Sequence, residues 1–455
     1  MRIVLLLCFL LTGLVQAREP LTLDDFYTHL SYGNVKQVRE YMQAHRVDVN
    51  ALAGPGECEG LPLLQCAGSA GVMEILLQNG ARIDQVTNGQ TALDHAASEK
   101  DGGEAARFLL KKGAKPSGRT LHAAIWYENT ELAYELIDMG VDVNYRDADQ
   151  GYTPLLIACE NGRPLSLIKK LIERGAKLDV VTNEGFAALH FFPSKRSTDH
   201  QGGAGDTTIG EEERLEKTTY LLSKGAKLDV KTKEGFTPLH IAVQSGDEIA
   251  MLLIEKGANI QAVSNTGATM LQLAAGAGSA RLVKYFLDHG ANVQAKNGEG
   301  YTAIFYGAQS GSGEVVKLLL DKGAVCTDYG KDRKTPLFLI AMFPTAEAHY
   351  ETLEENPQDF YTALTLVLQK SGPALIHSPD IYGETPWFLL KGWMYPLPEK
   401  IRLFLKYGAN KNARNPSGQT LLDVLQNELR DEESSLADGA RENIEESIRV
   451  LKNGP

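Results

Sequence analysis

The chain has 455 residues, of which 43% are hydrophobic and 23% charged, and its formal net charge is −12. That composition argues against a wholly disordered chain, and an acidic chain without a basic stripe is a poor candidate for binding a phosphate backbone, so no nucleic-acid partner is expected. A single compact core rarely grows to this length, which leaves several domains or a repeat array.

In chain order, the first predicted element is a signal peptide over residues 1–17. Arg2 supplies a short basic region, Ile3 to Leu11 form an apolar run, and Val15-Gln16-Ala17 places small residues where signal peptidase cuts. The apolar run is too short to span a bilayer and no other run reaches that length, so an exported chain without a membrane span is expected, in the periplasm or outside the cell. No Asn-x-Ser/Thr glycosylation site occurs, Asn415-Pro416-Ser417 being blocked by its proline, which favours a bacterial periplasm or exterior. Four cysteines follow the leader: Cys58, Cys66, Cys159 and Cys326. They are too few for a disulfide scaffold and lack zinc-knuckle spacing.

From there a phrase recurs. Clear copies are Thr91-Ala92-Leu93, Thr153-Pro154-Leu155, Thr237-Pro238-Leu239-His240, Thr269-Met270-Leu271, Thr302-Ala303-Ile304, Thr335-Pro336-Leu337 and Thr385-Pro386-Trp387. Degenerate copies stand at Leu61-Pro62-Leu63, Arg119-Thr120-Leu121-His122, Ala187-Ala188-Leu189-His190 and Thr420-Leu421-Leu422. Some twenty residues after each comes a second phrase ending in Gly-Ala, as in Leu252 to Ala258 and Leu318 to Ala324. Thr can cap the helix that it opens, and Pro at the first helical position loses no needed donor. Small residues such as Ala96-Ala97 and Ala274-Ala275 let neighbouring units approach, and Gly-Ala ends the second helix with glycine free to turn left-handed.

These phrases resemble the ankyrin repeat, with its T-P-L-H-x-A signature and period of about 33 residues. The resemblance covers the chain from about Leu21 to about Leu425 and implies an α-solenoid: helix-turn-helix plus β-hairpin per repeat, about eleven to twelve repeats with caps, over 18–426. The charged segment 427–455 is expected to be a C-terminal capping helix and tail. Two insertions interrupt the period. One, about 194–213, contains a Gly-rich stretch and Glu211-Glu212-Glu213; the other, about 345–360, is acidic. Both read as polar loops that serve either binding or decoration.

No catalytic set, cofactor motif or metal site emerges, so an enzyme is not expected. His122, His190 and His240 hold the fourth place of the phrase, where the resemblance implies a backbone-bonding structural role. His95 and Glu99 lie four apart without a third ligand, and Ser166-x-x-Lys169 lacks the S-D-N and K-T-G companions of a β-lactamase type of site. Cys66 and Cys159 take the small-residue places of first helices, and Cys58 is close enough to Cys66 for a disulfide.

A binding surface does emerge. The resemblance implies a concave face made of hairpin tips and first helices. The residue before the Thr place is aromatic in four of five successive repeats, Tyr152, Phe186, Phe236 and Tyr301, with Ala268 the exception. Polar neighbours include Glu184, Lys233, Glu234 and Glu299, and Tyr382 belongs to a second tip cluster with Tyr329, Lys331, Asp332 and Ile381. Such rings either anchor a partner or lie on the next hairpin and stiffen the array. The expected function is therefore a non-enzymatic, monomeric scaffold that holds another protein outside the cytoplasm, as an immunity or inhibitor protein masking a secreted toxin or enzyme, or as an effector docking on a host protein.

Overall fold

The computed structural model describes residues 21–54, 58–99, 103–192, 210–342, 357–391, 398–431 and 438–454. The anticipated signal peptide and most of both insertions lie outside these residues. The described chain groups into two compact units, one running to Lys177 and the other beginning at Leu178.

Unit 1 is a stack of helix pairs: α1 (Leu23–Ser31) with α2 (Val35–Ala44), a lone α3 (Ala70–Gln78), α4 (Ala92–Ala97) with α5 (Gly103–Lys111), α6 (Gly118–Trp126) with α7 (Thr130–Asp138), and α8 (Pro154–Glu160) with α9 (Leu165–Glu173). The capping predicted from sequence is present: the Thr91 hydroxyl accepts from Asp94 N while the Asp94 carboxylate accepts from Thr91 N. Helix ends follow the Gly-Ala rule. Gly175 turns at φ 91°, and Ala176 N then donates to Leu171 O at 3.0 Å. Leu136, Leu155, Leu167 and Leu171 lie between the pairs at 0% exposure.

Unit 2 opens with a single 3-10 turn at Ala188–His190 and α10 (Glu211–Ser223). It continues with α11 (Pro238–Ser245) and α12 (Asp247–Glu255), α13 (Met270–Gly276) and α14 (Ala280–Asp288), α15 (Ala303–Ser310) and α16 (Gly313–Asp321), and α17 (Pro336–Met342) and α18 (Pro357–Ser371). The short α19 (Pro373–Ile376), a 3-10 turn at Phe388–Lys391, α20 (Pro398–Lys406), α21 (Leu421–Asp431) and α22 (Asp438–Asn453) complete it.

Four details differ from the sequence reading. Glu211, Glu212 and Glu213, taken as loop, form the first turn of α10, where carboxylates complement the positive end of the helix. Pro357 to Phe360, at the end of the second insertion, likewise begin α18. The boundary placed between residues 426 and 427 falls inside α21, which pairs with α22. The projecting hairpins are tight turns without strands: among the described residues only the isolated bridges Leu52 with Pro62, Thr87 with Gln90 and Val263 with Thr269 form. Each arm is too short for a ladder, and the tips close instead by bonds such as Thr182 N to Phe186 O at 2.9 Å.

Among the described residues no helix is long and apolar enough to cross a membrane.

Candidate functional site

The tips of unit 2 are tied to one another by single backbone bonds. Lys233 N donates to Glu184 O (2.8 Å), Asn265 N to Glu234 O (2.9 Å), Gly298 N to Thr266 O (2.7 Å), Lys331 N to Glu299 O (2.8 Å) and Ile381 N to Asp332 O (3.1 Å). This fixes the register of the row on which the candidate residues stand. Glu184, Lys233, Glu234 and Glu299 are exposed on it. The Lys233 ammonium reaches Glu184 at 3.2 Å, an open pair of little energetic weight. Tyr382, at 78% exposure, and Ile381, at 54%, stand out from the tip that follows Asp332.

The rings before the Thr place are all half-buried rather than free. Phe186 stacks on Phe191 at 5.8 Å and meets His190 edge-on, and Phe236 meets His240 in the same way at 5.6 Å. Tyr301 is held more firmly. Its ring stacks on Phe305 at 4.7 Å, its hydroxyl donates to Asp332 of the next tip at 2.6 Å, and a Cβ on Gly330 would strike the ring. Burial raises its ionisation above the usual phenol range, and the hydrogen bond lowers that of Asp332 against a counteracting desolvation. In unit 1, Tyr152 donates to Glu160 at 2.8 Å and meets Trp126 edge-on at 5.9 Å. Tyr301 and Tyr152 thus have one edge committed to bracing, whereas the aromatic contacts of Phe186 and Phe236 are with the helix turn or helix that they introduce.

A second row was missed from sequence. Five residues after each member of the first row stand Phe191, Ile241, Leu273 and Tyr306, all half-exposed on successive first helices or turns of unit 2. Asn297 Nδ2 donates to the Tyr306 hydroxyl at 2.7 Å, which aims that ring. The apolar residue directly after the fourth place of the phrase was the signal available. With Phe186, Phe236 and Tyr301 the rows make an apolar floor flanked by charged tips, the buried Ala268 adding no ring to it.

The rejected chemistry has structural explanations. His190 and His240 are buried, and their Nδ1 atoms accept from Ala187 N and Thr237 N at 3.0 Å. His122 departs from that role: its helix starts early, capped by Ser117, so its ring stacks towards Trp126 and lies 3.6 Å from Asp147. Ser166 shares a hydrogen bond with Tyr134 at 2.6 Å. Among the described residues no three His, Cys, Asp or Glu side chains gather as metal ligands. Cys58 and Cys66 are buried and not joined in a disulfide, with Cys66 Sγ donating to Cys58 O at 3.8 Å. Cys159 and Cys326 are buried too, and burial pushes the Cys326 thiol up to about 12.

Known proteins place this architecture. A family model for ankyrin repeats matches residues 121–192, 211–297 and 257–330. Over those residues the repeats are ankyrin repeats. Similar stretches occur in the E3 ubiquitin-protein ligase KEG of Arabidopsis thaliana, 37% identical over 22% of this chain and 7% of that protein. Protein phosphatase 1 regulatory subunit 27 of Homo sapiens is 39% identical over 15% of this chain and 45% of its own length. A putative ankyrin repeat protein of Rickettsia felis is 34% identical over 23% of this chain and 38% of that protein. The chain therefore spans less than half the length of each of these relatives.

Proposed function

We propose that this chain is a non-enzymatic scaffold that acts outside the cytoplasm and grips a partner protein on the first-helix floor of unit 2. The observation that carries the reading is the double row itself. Phe191, Ile241, Leu273 and Tyr306, beside Phe186 and Phe236, keep apolar surface half-open in consecutive repeats, where a purely structural helix face would be polar or fully covered. Polar tips around an apolar centre are the usual anatomy of a binding hot spot. The regulatory subunit among the relatives supports a binding role, and the short apolar leader supports export. Masking a secreted toxin or enzyme is the specific role favoured within this reading, with docking of an effector on a host protein as the alternative.

The test joins two variants. Ile241→Ala with Leu273→Ala should weaken capture of the partner, in pull-downs from the compartment where the protein resides, by roughly thirtyfold. Melting temperature should change little. Tyr301→Ala should instead lower the melting temperature, since its ring braces the next tip. Undiminished capture by the double variant would sink the floor as the binding site. Detection of the chain only in the cytoplasm, with its first residues intact, would sink the export reading.

A further inference from the structure

Five Asn-Gly pairs occur in the described chain, at Asn79, Asn88, Asn161, Asn297 and Asn453. Glycine after asparagine leaves the backbone nitrogen open to attack the side-chain amide, because no Cβ stands in the way. In four of the pairs that nitrogen is committed. Gly80 N donates to Leu77 O (3.1 Å), Gly162 N to Cys159 O (3.3 Å), Gly298 N to Thr266 O (2.7 Å) and Gly454 N to Val450 O (2.9 Å). Gly89 N donates to no acceptor among the described residues, and Asn88 and Gly89 are both exposed.

The reason is local. The Thr182 tip closes around three residues before Phe186, and there Gly185 N bonds back to Thr182 O. The Thr87 tip turns in two residues, Asn88 at φ 53° and Gly89 at φ 74°. Both cross-turn bonds, Thr87 N to Gln90 O and Gln90 N to Thr87 O, each 2.9 Å, belong to the outer pair. This is the primed hairpin turn that Asn-Gly favours, and it leaves the second central N–H pointing to water. No hydrogen bond of the Asn88 side chain is found within the described chain either, whereas Asn79 Nδ2 donates to Ile75 O at 2.8 Å and Asn297 uses both side-chain ends.

We propose that Asn88 is a site of spontaneous deamidation, selected over the other four pairs by its uncommitted glycine nitrogen. Solvent base removes the Gly89 N–H proton, and the nitrogen attacks Asn88 Cγ. The new C–N bond closes a succinimide as the Cγ–amide bond breaks and ammonia leaves. Water then opens the ring at either carbonyl, giving aspartate or isoaspartate. Water is the only co-reactant, and no electrons are exchanged. The product adds a negative charge beside Arg119, whose Nη1 lies 3.5 Å from the place of a Gly89 Cβ. Isoaspartate also lengthens the turn backbone and disturbs Gln90 O, which accepts from the buried Gln65 side chain at 2.8 Å.

The test is to age the purified full chain at mildly alkaline pH and map deamidation by peptide mass spectrometry. Asn88 should convert at least about fivefold faster than each of the other four, the factor set by one committed hydrogen bond. Asn88→Gly keeps a turn with left-handed φ and should abolish the fast phase, and ageing in denaturant should bring the sites to equal rates. Equal rates in the folded chain, or earlier conversion at Asn79, Asn161, Asn297 or Asn453, would overturn the assignment.

Discussion

His190, His240 and Gln272 hold the same place in successive repeats, and each side chain accepts the backbone N–H of the residue that opens its helix or turn, at 3.0, 3.0 and 2.9 Å. Two chemically different residues therefore perform one capping task, and only the histidines titrate. Burial, reinforced by Lys231, drives His240 down to about 4, and burial also lowers His190. In the unfolded chain a histidine takes its proton near pH 6.5. Between about 6.5 and 4 the unfolded state consequently binds more protons than the folded one. Stability is fully present above 6.5 and drains as the pH falls towards 4. His240→Gln copies the Gln272 solution. It should cost less than about 1 kcal/mol at pH 7 and should flatten the loss of melting temperature on acidification from pH 6.5 to 4. An unchanged acid slope would show that His240 is not among the groups responsible.

The second repeat shows what an element needs beyond its phrase. Leu61-Pro62-Leu63 predicts a first helix there, with Cys66 in its small-residue place, yet residues 61–66 form turns and only α3 is helical. Gln65 N and Cys66 N do bond back to Pro62 O, so one turn starts. It stops because Gly68 must pass against α1: Gly68 N donates to Leu30 O at 3.0 Å, and a Cβ on it would run into the Ser31 carbonyl. Gly68→Ala should therefore cost about 1–3 kcal/mol, read as a lowered denaturant midpoint, although alanine is the better helix former. A neutral result would mean that the junction yields. The same contrast explains what could be read from sequence. The Thr-x-Leu and Gly-Ala phrases are local capping chemistry, so helix pairs such as those opened by Thr91, Thr153 and Thr237 were legible, whereas the phrases at Ala187 and Thr385 open only 3-10 turns. The tip rings were legible as residues, but their contacts were not, since Tyr301 binds Asp332 only once adjacent tips are in register. The second row escaped because Phe191, Ile241, Leu273 and Tyr306 look like ordinary helix hydrophobes until their half-exposure is seen.

At the scale of the whole chain, long-range order is assembled from neighbour contacts. Asp138 takes both Lys170 (2.6 Å) and Arg174 (2.7 Å) of the next repeat in unit 1, and in unit 2 Arg281 reaches Glu248 and Lys322 reaches Asp288, each across one repeat. These pairs are exposed and carry little weight one by one. The apolar contacts obey the same rule: α16 packs on α14, α15 and α18. Within each unit, a stack linked through its neighbours in this way behaves as a one-dimensional array, in which damage stays near its origin. Leu319, at 0% exposure on α16, provides the test. Leu319→Ala should remove about 2–5 kcal/mol of packing. Hydrogen exchange should then quicken in α14, α15, α16 and α18 while α4, α5 and α6 keep their protection. Uniform acceleration from α4 to α18 would instead show that the repeats open as one cooperative body, and the floor of unit 2 would then be coupled to every repeat in the chain.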